Sequence, residues 1–164
     1  MRRVVELAEL DARVVERLLA RYGLELVQLP LHCDIPASFW GAPEAGLAAQ
    51  TVFARPDTPA HSLLHEASHF ICMTPDRRTN LWRDAGGDVI EECAVCYLQI
   101  LLADEIPHLG ATRLIADLDT WGYSFREGSA HAWFDGDGSD ALRWLREHGL
   151  VDRGARPTHR LRMR

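Results

Sequence analysis

Two histidines four residues apart, His65 and His69, sit in a stretch that is otherwise apolar, flanked by Leu63, Leu64, Phe70 and Ile71. Asp57 or Thr58 suits a helix cap, Pro59 suits the first helical position, and Thr74-Pro75 suits the end, so the pattern predicts a helix over residues 59–73. Side chains four apart share one helix face, with Cβ atoms about 5–6 Å apart. Two imidazoles so placed converge on one ion at about 2.0–2.1 Å each. Glu66 points about 100° further round the helix. It is badly placed to bind the same ion but well placed to reach a water beside it, as a general base must. The pattern H-E-x-x-H arises by chance only about 0.03 times in a chain of this composition. The alternative is a solvated turn, and the apolar flanks argue against it: two unpaired imidazoles and a carboxylate in a buried helix would be costly.

A hydrolytic zinc centre needs a third protein ligand and an open fourth position. Residues 88–103 read as a second helix, apolar on nearly every side and therefore central to the domain. It carries Glu91 and Glu92, and a buried carboxylate needs a cation beside it. The two point about 100° apart, so one ion takes one of them. Either could instead serve the helix start near Asp88, where acids favour the dipole. The four cysteines, Cys33, Cys72, Cys93 and Cys96, offer only one close pair, inside an apolar helix. We read them as small buried residues with reduced thiols rather than as a metal knuckle or a redox pair.

The rest of the chain sets the architecture. Helices are expected over residues 4–22, 112–120 and 139–147, the last capped by Ser139 and closed by Gly149. Strands are expected over 24–29 and 47–55, with loops over 31–46 and 75–87. Few, early strands among many helices imply an α+β fold: a small mixed sheet on a mainly helical body. With 164 residues the chain makes one domain, 1–152, and a basic tail, 153–164, expected to be a solvated end. That tail holds five of the 18 basic residues and no acid, leaving 13 against 24 acids elsewhere. An acidic body argues against a nucleic-acid-binding core. No apolar run reaches the roughly 20 residues a membrane helix needs, and acids interrupt the N-terminus, so no membrane partner and a cytoplasmic location are expected.

The pattern His65-Glu66-x-x-His69 followed by a helical glutamate resembles the gluzincin branch of zinc metallopeptidases. The second helix resembles the ImmA/IrrE-type peptidases, whose glutamate is followed by x-x-Ala-Asn-x-Phe-Ala and then paired leucines. Here the sequence runs Glu91-Glu92-Cys93-Ala94-Val95-Cys96-Tyr97-Leu98, with Leu101-Leu102 beyond. Val95 departs from the family's polar residue, and Asp88 or a backbone carbonyl is expected to orient a ligand histidine instead. The resemblance spans residues 45–105. It implies a zincin-like fold and a Zn²⁺ cofactor held by His65, His69 and Glu91, with Glu66 as catalytic base. It also implies that residues 51–55 form an edge strand along the cleft, pairing with an extended peptide or protein substrate. Tyr123, Arg126 and His131 are candidates to stabilise an oxyanion. His61, one turn before His65, is expected at the surface or behind the site. Three readings follow: a zinc peptidase with a narrow intracellular substrate, a non-catalytic binding or regulatory domain keeping a metal, and a metal-free interaction protein.

Overall fold

The stretch 47–55 is a hairpin rather than one strand. Strand β2 (Gly46–Ala48) turns through Ala49 and Gln50 into β3 (Thr51–Ala54), with Ala49 at a φ of 48°. The computed structural model describes residues 3–123 and 128–164. Strand β1 (Glu25–Gln28) runs parallel to β3, with Glu25 opposite Thr51 and Gln28 opposite Ala54. The sheet order is β1-β3-β2, so residues 51–54 are the central strand and not the expected edge.

The outer edge of β2 is already occupied. The Leu47 N–H donates to the Ala37 carbonyl at 3.3 Å, and the Leu47 carbonyl accepts from the Arg83 N–H at 2.9 Å. Bridges Ser38–Gly46 and Ala48–Trp82 extend the cover in both directions. Gly46 makes this possible, since a Cβ there would lie 1.8 Å from the Pro36 carbonyl oxygen.

Seven α-helices are found among the described residues: α1 (Ala12–Ala20), α2 (Ala60–Cys72), α3 (Pro75–Thr79), α4 (Val89–Ala103), α5 (Gly110–Trp121), α6 (Ala130–Asp135) and α7 (Ser139–Glu147). The first begins late because Asp11 caps it, its carboxylate accepting the Arg13 N–H at 2.9 Å. Residues 4–10 instead run along the start of α2, where the Leu7 N–H donates to the Thr58 carbonyl. Asp88 caps α4 through the Glu91 N–H. From there α4 passes through the middle of the molecule against α2, α5 and α7, with Ala94, Val95, Leu98, Ile100, Leu102 and Ala103 buried. Among the described residues no helix is long and apolar enough to cross a membrane.

The C-terminal segment is docked, contrary to the expected solvated end. The Thr158 N–H bonds to the Leu150 carbonyl, and the Arg162 N–H to the Ile71 carbonyl at the end of α2. Residues 158–164 thereby reach the two helices that carry the candidate ligands.

Candidate metal centre

Helix α2 brings His65 and His69 together as the four-residue spacing requires. Their Nε2 atoms lie 3.1 Å apart. Helix α4 contributes Glu92, whose Oε1 is 3.2 Å from His65 Nε2 and whose Oε2 is 3.4 Å from His69 Nε2. These three side chains form a group that can hold a metal ion, and it includes no cysteine. A tetrahedron with arms of about 2.0–2.1 Å has edges of about 3.3–3.4 Å. The His65–His69 separation of 3.1 Å is close to such an edge, and each of the two nitrogens has one oxygen of Glu92 at a comparable distance.

Glu91, the ligand implied by the resemblance, lies elsewhere. It is 4% exposed, and Arg77 grips it with two bonds of 2.7 and 2.8 Å. Arg162 adds a third at 3.1 Å. Its cation is a pair of guanidinium groups, and it is the neighbouring Glu92 that joins the two histidines.

Gln99 sets which imidazole nitrogen faces the centre. It is wholly buried on α4, two turns beyond Glu92. Its amide nitrogen donates to the His61 carbonyl at 3.3 Å, which leaves Oε1 to accept from His65 Nδ1 at 2.6 Å. Nδ1 of His65 thus carries a proton, and Nε2 is the nitrogen turned toward His69 and Glu92. Two imidazole lone pairs and a carboxylate facing one another repel unless a proton or a metal ion lies between them. Burial penalises the charged form of both rings. At His65 the neighbouring Cys96 and Glu92 outweigh that penalty and hold it well above the usual histidine range. At His69 burial, aided by the like charge of His65, lowers the value to about 3. This centre is therefore an electron-pair donor set suited to a cation.

Glu66 is on the same turn and lines the same cleft. Burial pushes its carboxyl up to about 7, against the pull of His65. A carboxylate sheltered in this way is a better proton acceptor than a solvated one. The cleft encloses about 470 Å³, and its wall includes Tyr123, Trp121, Phe39 and Trp40. Tyr123 also places its ring 5.9 Å from that of His65. Burial raises its phenol to about 12, so it donates a hydrogen bond at neutral pH.

The other candidates separate clearly. His131 is exposed and paired with Asp135 at 3.1 Å, not in the cleft. Arg126 lies outside the described residues. His61 is fully buried rather than at the surface, packed 5.2 Å from Trp121 and 5.5 Å from Tyr123 ring to ring, with neither ring nitrogen hydrogen-bonded among the described residues. Cys72 and Cys96 are buried, as expected, while Cys33 and Cys93 are half-buried. Asp88 caps its helix, and Gln99 performs the orienting role expected of Asp88 or a carbonyl. The residues 88–103 held the signal for this: Gln99, an amide inside an apolar helix, is seven residues after Glu92 and so on its face.

No family model, no curated protein and no solved structure matches this chain.

Proposed function

We propose that the protein is a zinc-dependent peptidase or amide hydrolase, with His65, His69 and Glu92 as the metal ligands and Glu66 as the general base. The observation that carries this reading is the convergence of two Nε2 atoms and one carboxylate within 4.8 Å, beside a second carboxylate in the same cleft that the donor set does not need. A purely structural site has no use for Glu66. Zinc held by these side chains would supply Lewis acidity toward a carbonyl oxygen and toward water.

Glu66 takes the proton from the attacking water at a carboxylate oxygen and delivers it to the departing amine nitrogen. Gln99 keeps the His65 ring in the orientation that presents Nε2. The Tyr123 hydroxyl donates to the carbonyl oxygen as negative charge grows on it. Peptide or protein amides are the substrates this set of groups serves.

Metal analysis of the purified protein should find close to one zinc per chain, lost in His65→Ala. Glu66→Gln should keep the zinc and lose turnover of a peptide substrate by about 100-fold or more. Full turnover in that variant would remove the hydrolytic reading, and metal-free wild-type protein would remove the centre itself.

A further inference from the structure

Extended substrates commonly bind a sheet enzyme by adding a strand to a free edge. That route is closed on the β2 side of this sheet. Both outward backbone groups of Leu47 are paired with the chain itself, one with Ala37 and one with Arg83, and the Ala49 N–H is bonded to the Leu81 carbonyl. The covering segments continue into the cleft wall, to which one contributes Phe39 and Trp40 and the other Arg83 and Asp84. Recognition there must come from side chains.

Three of the eight large apolar side chains left exposed among the described residues stand in this wall: Phe39 at 51%, Trp40 at 78% and Trp121 at 40%. Phe39 and Trp40 pack edge to face with centroids 5.0 Å apart. Their segment is pinned to the metal helix, because Ser62 on α2 accepts the Ala45 N–H at 2.9 Å. It is pinned to α5 as well, where Trp121 Nε1 donates to Glu44 at 2.9 Å. Aromatic groups held in this way form a preorganised apolar seat. Outside the donor set and Glu66, the charged groups that line the cleft among the described residues are two acids, Glu44 and Asp84, and one arginine, Arg83. A cleft of about 470 Å³ is the size of a short ligand rather than a long extended chain.

We propose that this cleft takes a short cationic peptide segment bearing one bulky apolar side chain, seated on Phe39, Trp40 and Trp121 and drawn in by Glu44 and Asp84, without strand addition to the sheet. The inference rests on the hydrolytic reading of the same centre and names its substrate class.

The test uses the zinc-loaded full-length Glu66→Gln variant, so that binding is read by calorimetry without turnover. The probe is an acetylated tetrapeptide amide with phenylalanine and arginine at its central positions and alanine outside them. Replacing phenylalanine with alanine, or arginine with glutamate, should each weaken binding about 10-fold. Lengthening the probe to eight residues with alanines should change affinity by less than about 3-fold, whereas strand addition would strengthen it well beyond that. Adding Trp40→Ala, at an exposed position, should erase the phenylalanine preference and leave zinc content unchanged. No binding, indifference to the two replacements, a preference for the acidic probe, or a large gain on lengthening would each overturn the proposal. Should the preferences hold while wild-type protein cleaves none of these probes, the cleft assignment stands and the hydrolytic reading falls.

Discussion

At Glu91 a carboxylate almost out of contact with water meets two guanidinium groups, and one residue later a half-exposed carboxylate meets two imidazoles. The two side chains answer different physical demands, and substitution should separate them. Glu91→Gln leaves Arg77 and Arg162 facing a neutral amide. We expect a loss of about 2 kcal/mol in urea unfolding of the metal-stripped protein, below the full cost of breaking a buried pair because Arg77 is 30% exposed. Glu92→Gln should change that stability by less than about 1 kcal/mol, since its side chain is 50% exposed. It should weaken zinc binding by about 100-fold or more in competition with a chromophoric chelator. The reverse pattern would return the ligand role to Glu91. That His65 and His69 come together on one face of a helix, with Glu66 beside them, was legible in the sequence because helical spacing is a local rule. The choice between the two glutamates was not, because α4 is apolar on nearly every side and its pattern does not say which face meets α2.

Among the elements, α2 must end without stranding its last carbonyls, which follow His69 directly in the chain. Two arginines from outside the helix satisfy them. Arg78 on α3 donates to the Phe70 carbonyl at 2.8 Å and the Met73 carbonyl at 2.7 Å. It reaches the Arg162 carbonyl as well, at 2.6 Å. Arg162 donates its backbone N–H to Ile71 and a side-chain N–H, at 3.2 Å, to Cys72. Positive charge at a helix C-terminus also complements its dipole. Arg78→Ala should therefore lower stability by about 2 kcal/mol. It should raise amide exchange in residues 70–73 and 160–164 together; a rise confined to one segment would show that the two are not clamped as a unit. None of this was readable beforehand, since an arginine-rich terminus has the composition of a solvated one. The hairpin was hidden for a related reason. Its turn has neither glycine nor asparagine, and Ala49 holds a positive φ that the covered edge and the following strand impose.

Over the whole molecule, the α+β balance was visible because helix and strand periods are written locally, while the order β1-β3-β2 depends on pairings the periods do not encode. A global consequence follows from His61. It sits in the core with no hydrogen-bond partner on either ring nitrogen among the described residues, against Trp121 and Tyr123, and burial, reinforced by the charge of His65, lowers its value from 6.5 to about 3. Between those two values the unfolded chain binds a proton that the fold refuses, so stability must rise with pH across the interval. Above about 6.5 His61 has no effect of this kind. Below it the fold loses up to about 1.4 kcal/mol per pH unit until the imidazole titrates in place. His69 contributes with the same sign in the metal-free protein, and Glu66, raised from 4.5 to about 7, with the opposite sign between those two values. The contribution of His61 is isolated by subtraction. His61→Phe keeps an aromatic ring in the same apolar surroundings and removes the proton site. Unfolding free energies of the two proteins, measured in urea from pH 7 to pH 4, should run parallel near neutrality and diverge below about 6.5, with the variant losing less. Curves that stay parallel down to pH 4 would mean that His61 accepts its proton inside the fold without penalty.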